Sequence, residues 1–166
     1  MITRLPPLPP LPPVPPVSVN RFFNVSGILS SELLPTELIR LGLPIDHPQF
    51  RQVGGFRFRS DEAGGVIVVE DGLISDLATI PEIMQGIPVE LGGLENDDPR
   101  IGPIAWVHDK ICDLQGVIVL EDGRTVTLTH TQAARILAYE GMADLGANII
   151  QQDAVFNAVN DFGPQF

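Results

Sequence analysis

The stretch Ile101 to Leu114 reads I-G-P-I-A-W-V-H-D-K-I-C-D-L, and the rest of the chain is arranged around it. It carries the only His-Asp dipeptide, the only Trp, the only Lys and the only Cys. It also stands between a β-patterned half and a helical half. Pro103 suits the first turn of a helix, where its missing N–H costs nothing. Ile104, Val107, Ile111 and Leu114 then recur at helical spacing and make one apolar stripe, which Gly116 ends. His108 falls beside that stripe with Ile104, Ile111 and Cys112, facing the interior, while Asp109 is turned about 100° from it. One reading is a half-buried imidazole that activates water beside a carboxylate that holds a metal. The other is a core histidine with one hydrogen bond and a solvated aspartate, and the residues alone favour this second reading.

Downstream, Val117–Leu120 and Thr125–Leu128 flank E-D-G-R and predict a β-hairpin. Thr129 and Gln132 have capping-box spacing. The helix they open places Ala134, Leu137, Ala138, Gly141, Met142 and Leu145 on its inner stripe, with His130 exposed in its first turn. Gly146 ends it. Asn148 and Gln151 cap a last helix, Ile149 to about Asp161, with Val155, Val159 and Phe162 facing inward.

Upstream, Phe56 and Phe58 alternate with Arg57 and Arg59, which predicts a strand with one apolar and one basic face. A turn at Asp61–Gly65 leads to a strand over Val66–Val69, and E-D-G (70–72) turns the chain into Leu73–Ile74. Arg51, Arg57 and Arg59 form either an anion or partner patch or, more simply, a solvated strand face. Thr36 is placed to cap a short helix, Glu37 to Leu41, ended by Gly42 and Pro44. Thr79 and Glu82 repeat the capping-box spacing for a helix near Ile80–Gln85. Asp76 precedes it, either as a turn former or as a carboxylate directed at the His108 helix. Residues 86–100 read as a loop whose Glu95, Asp97 and Asp98 do not follow the EF-hand pattern. His47 sits before Pro48 in a loop.

Half of the sixteen prolines fall in the first sixteen residues, as L-P-P-L-P-P-L-P-P-V-P-P-V. Polyproline II has three residues per turn, so Leu5, Leu8, Leu11, Val14 and Val17 line one edge of an arm about 40 Å long. An apolar edge of that kind fits a groove on a neighbouring subunit or an SH3-type site. A disordered spacer is the plainer reading, but the unbroken recurrence of an apolar residue at every third position favours the docked arm.

Ten basic against twenty-one acidic residues give a net charge of −11. That charge argues against nucleic acid and anionic membrane surfaces and suits a basic partner or a cation site. A lone cysteine excludes an internal disulfide framework and a cysteine metal site. No apolar run is long enough for a transmembrane segment, and prolines interrupt any signal-like stretch at the N-terminus. The chain divides into an arm (1–20), a connecting segment with a short helix (21–49) and a globular domain (50–163). The expected fold is α+β, a small antiparallel sheet or hairpins packed on about three helices.

Five segments, in order, carry a family resemblance: D-L-A-T-I-P (76–81), A-W-V-H-D (105–109), A-A-R-I-L (133–137), G-M-A-D-L-G (141–146) and V-F-N-A-V-N-D-F-G (155–163). Together they resemble a phage and prophage family catalogued as domain of unknown function 1353, over roughly Phe50 to Gly163. That family's central motif is similar to the H-D-x-x-Y helix of secreted and parvoviral phospholipases A2. There the His activates water, the next Asp holds calcium and a distant Asp orients the His. The resemblance implies His108 as base and Asp109 as calcium ligand. The tyrosine position is Cys112, however, and the orienting aspartate position is Ala134. Asp144 lies nearly three turns further along, which leaves Asp76 as the candidate orienting group. Losing such a carboxylate costs orders of magnitude in a His-dependent hydrolase, so the resemblance implies a degraded site. The expected function is a bacteriophage virion component of tail, neck or capsid. It would be made in the host cytoplasm, need no cofactor and dock through its arm on other virion proteins and copies of itself. The alternatives are a calcium-dependent esterase acting on the host envelope and a host-directed polyproline ligand.

Overall fold

The computed structural model describes residues 20–25, 30–46, 48–75 and 102–166. The arm residues Leu5, Leu8, Leu11, Val14 and Val17, together with His47, Asp76, the helix expected near Ile80–Gln85 and the 86–100 loop, lie outside them.

The described chain is α+β, with two three-stranded antiparallel sheets, a β-hairpin and four helical segments. One sheet joins β1 (Phe22–Phe23), β4 (Phe56–Ser60) and β5 (Gly65–Val69) in the order β1-β4-β5. The other joins β2 (Ser30–Glu32), β3 (Phe50–Gln52) and β6 (Ile74–Ser75) in the order β2-β3-β6. The stretch read as a connector thus supplies a strand to each sheet. The β4 alternation is as the sequence predicts: Phe56 and Phe58 are buried, opposite Val69 and Ile67 of β5. Phe22 packs on Phe58 with ring centroids 4.9 Å apart.

The basic face of that strand is neither a free anion patch nor simply solvated. Arg57 and Arg59 both lie over the Phe23 ring. Arg57 also pairs with Glu121 at 2.9 Å, and Arg51 pairs with Glu37 at 3.1 Å. The short helix α1 (Pro35–Leu41) starts earlier than expected. Leu34, not Thr36, is its N-cap, because Pro35 takes the first helical position, where it gives up no hydrogen bond.

The central helix α2 (Gly102–Asp113) is followed by the hairpin β7 (Val117–Val119) and β8 (Thr125–Thr127). Gly116 makes the link at φ 85°, and a Cβ there would meet the Leu128 carbonyl oxygen at 2.1 Å. Every residue of α2 from Pro103 to Ile111 is buried. The expectation of one apolar stripe is therefore too narrow, since α2 packs on β5 and on the C-terminal helices at once. Leu114, assigned to the stripe, is exposed just beyond the helix end.

The third helical segment begins as α3 (His130–Arg135) and continues without a break as a π-helix over Ile136–Met142. Thr129 and Gln132 cap it reciprocally. The last helix, α4 (Ile149–Phe162), is capped in the same way by Asn148 and Gln151. Val155 and Val159 face the core, but Phe162 is 82% exposed, against the expectation that it points inward. It lies in the last turn, past the edge of the core that Val159 reaches. His130 departs in the opposite sense: it is buried beneath the C-terminal residues, its Nε2 lying 2.8 Å from the Asn160 carbonyl and its ring edge-on to Phe166.

Candidate functional site

His108 lies in the middle of α2 and is completely buried, among neighbours that include the core residues Ile104 and Ile111. Both ring nitrogens stand 3.7 Å from Cys112 Sγ, one turn on, where the resemblance places a tyrosine hydroxyl. A thiol is a weak hydrogen-bonding group and gives the ring little direction. Burial, reinforced by the Asp109 and Asp113 carboxylates, pushes the Cys112 thiol up to about 12, so it is protonated at neutral pH. Ala134, at the orienting position, is also fully buried and brings only a methyl group.

Asp109 is not the solvated side chain that its helical angle suggests. It is 5% exposed, and its Oδ2 accepts a hydrogen bond from the Ser75 hydroxyl at the end of β6. Its Oδ1 is 3.9 Å from His108 Nδ1, too far for a hydrogen bond. The next residue, Lys110, is buried as well, and its Nζ donates to the Val68 carbonyl and to Glu70 Oε1. The three consecutive polar residues thus run from the core to the two sheets. Among the described residues, no group of three or more His, Cys, Asp and Glu side chains stands close enough to hold a metal ion. Asp109 therefore lacks the partners that a calcium site needs from them. Asp76 lies outside the described residues, immediately after the Ser75 that contacts Asp109.

A second grouping was not anticipated from the sequence. Arg21, Asp61, Glu62, Arg135, Tyr139 and Glu140 line an open cleft of about 540 Å³ between the β4–β5 turn and the π-helix. Arg21 pairs with Asp61 at 3.0 Å and Arg135 with Glu62 at 3.3 Å. The Tyr139 hydroxyl donates to Asp153 Oδ1 at 2.7 Å. Glu140 is 7% exposed, and its Oε1 accepts the Glu62 backbone N–H at 2.8 Å. Its Oε2 is enclosed, and the Ser60 hydroxyl lies against this carboxylate. Burial raises the Glu140 carboxyl above the usual range, opposed by the Glu62 N–H, the Ser60 hydroxyl and Arg21. In a regular helix Glu140 falls off the apolar stripe. The wider i→i+5 turn rotates it inward, and no residue between Ile136 and Met142 announces that turn.

Comparison with protein-family models, with curated proteins and with solved structures gave no match.

Proposed function

We propose that the protein is a non-catalytic assembly component of a bacteriophage particle, made in the host cytoplasm and held to neighbouring virion proteins and copies of itself by apolar contacts. One observation carries the interaction half of this reading: large apolar side chains stand in solvent in and around one short helix. Leu34, Ile39 and Ile45 are 62%, 68% and 69% exposed, and Leu41 joins them. α1 has a core side of its own, where Leu38 is buried. Its outward leucines and isoleucines are thus additional to what folding needs. Burying each against a partner is worth roughly 1.5–3 kcal/mol, and concentrated apolar exposure of this kind marks an interaction surface.

The phage setting rests on the five-segment sequence resemblance, and the arm edge (Leu5, Leu8, Leu11, Val14, Val17) is the second contact in this reading. The burial of His108 and the engagement of Asp109 by Ser75 favour assembly over esterase chemistry, because the water-activating base has no approach to solvent.

Ile39→Lys with Ile45→Lys tests the surface, since exposed positions tolerate substitution within about 0.5 kcal/mol. The expected outcome is an unchanged unfolding midpoint with loss of incorporation into particles in a complementation experiment. Normal incorporation of the double variant contradicts the proposed surface.

A further inference from the structure

The chain carries an apolar edge in one place and an apolar face in another. The edge is Leu5, Leu8, Leu11, Val14 and Val17, the non-proline members of a period-three repeat. The face is Leu34, Ile39, Leu41 and Ile45, on α1 and its flanks. These are four of the eleven large apolar side chains that the described residues leave exposed, and the largest group in one place. As a polyproline II rod the edge repeats every ~9 Å, while the helix α1 spans ~10 Å. Two successive edge residues therefore match the length of the face. Their charges are complementary as well. Residues 1–19 hold one arginine, Arg4, next to Leu5, and no acidic residue, whereas the rest of the chain carries nine basic against twenty-one acidic residues. Glu32 and Asp46 bracket the face in sequence.

We propose that the edge of one copy docks on the α1 face of a second copy, so that copies join head to tail. This rests on the assembly reading above and names the contact between copies that it requires. The path of the chain selects a second copy over the arm's own globular domain. Phe22 and Phe23 stand opposite Phe58 and Arg57, and the Arg59 N–H donates to the Arg21 carbonyl. Traced backwards from Phe23, the chain therefore runs along β4 towards Ser60. It leaves at the β4–β5 turn, where Asp144 accepts the Arg21 backbone N–H and Asp61 its guanidinium. α1 belongs to the other end of β4. The chain passes from β3 into β4 at Phe56, through Val53–Gly55. α1 is tied to the β3 segment by the Arg51–Glu37 pair and by the bond from the Leu33 N–H to the Gln49 carbonyl. A semi-rigid rod leaving past Ser60 points away from its own α1. Ser18–Asn20 span at most ~11 Å, which leaves little chain for a reversal.

An edge and a face on different parts of one chain make a heterologous contact, which closes into a ring or extends as a filament. Docking costs the arm little conformational entropy, because proline has already restricted the free chain.

Two variants of the full chain test the junction without altering charge. Leu5→Ser with Leu8→Ser and Leu11→Ser removes the edge, and Ile39→Ser with Ile45→Ser removes the face. Sedimentation velocity in physiological salt reads association at about 200 µM, well above a Kd of the order of 10 µM. The expected result is an oligomer from the unsubstituted chain and a monomer from either variant alone. Mixing the two variants is expected to give a one-to-one dimer and nothing larger, because one working edge then meets one working face. A monomeric unsubstituted chain, as docking within one copy would give, overturns the proposal. So does an edge variant that still self-associates, which means face on face, or a mixture that stays monomeric. Should the face variant not fold, a peptide of residues 1–19 added to the ¹⁵N-labelled edge variant gives the answer. It must shift the amides of Leu34, Ile39, Leu41 and Ile45 saturably, and unmoved amides reject the junction. Incorporation into particles is read separately. The one-to-one dimer from a chain absent from particles overturns the phage setting and leaves the junction standing. Normal incorporation of the edge variant overturns the junction and leaves the phage setting.

Discussion

The imidazole of His108 occupies volume in the core and touches a sulfur, and among the described residues the carboxylate beside it, Asp109, stands at 3.9 Å, beyond hydrogen-bonding distance. Removing it leaves a cavity that rigid neighbours close only in part, which for a large buried side chain costs about 2–4 kcal/mol. His108→Ala is therefore expected to lower the denaturant midpoint without changing vesicle hydrolysis, which stays at background for both proteins. An unaltered midpoint, or hydrolysis lost with the imidazole, contradicts a core role. Glu140 gives a prediction of opposite sign. Its folded-state pKa is raised above the ordinary 4.5, so between those two values the folded chain binds more protons than the unfolded one. The carboxyl's contribution to stability is then greatest below about pH 4.5 and is lost as pH rises through the folded-state value. Glu140→Gln removes that titration and keeps an acceptor for the Glu62 N–H. Its stability relative to the unsubstituted chain should improve from pH 4 to pH 7, as read by unfolding at each pH. A pH-independent difference contradicts the assignment.

At the scale of elements, α2 and the π-helix are closely apposed at Gly141. A Cβ at Gly141 would meet Ile104 side-chain atoms at 2.0–2.6 Å. Gly141→Ala is expected to destabilise the fold by roughly 1–3 kcal/mol through overpacking, checked by thermal unfolding. A neutral effect means the two helices are not so tightly apposed. This contact also shows how much of the structure the sequence carries. Both C-terminal capping boxes, the Phe56/Phe58 alternation and the hairpin around E-D-G-R are local signals, set within four or five residues, and each element stands where those residues put it. The misses share another cause. Asp109 and His130 look exposed on a helical wheel, but partners distant in sequence, Ser75 and Asn160, cover them. The π-turn leaves no local mark, because its stabilisation comes from what the widened turn packs against. The His108 motif and its inward-facing position could therefore be read in the sequence while the contact that buries Asp109 could not, and the Glu140 cleft was legible in neither pattern nor composition.

The whole molecule combines a high negative charge with apolar side chains left in solvent. Like charges keep separate copies apart at low ionic strength. Salt shortens the range of that repulsion to about 8–10 Å at physiological strength, which lets Ile39, Ile45 and their neighbours on α1 and the adjoining chain meet a partner. Ile149, Ile150 and Phe162 on α4 are also exposed, so the molecule offers more than one element for contact. In this account the polar residues of α2 hold the two sheets to the core, and the outward faces do the work. On the proposed phage setting, the most direct test of that claim is quantitative mass spectrometry of particles purified from a phage whose genome carries this sequence. The account expects a copy number fixed from preparation to preparation, at a multiple set by the symmetry of a ring or shell. Particles that lack the chain, while infected cells contain it in quantity, contradict it and return the case to catalysis or host binding.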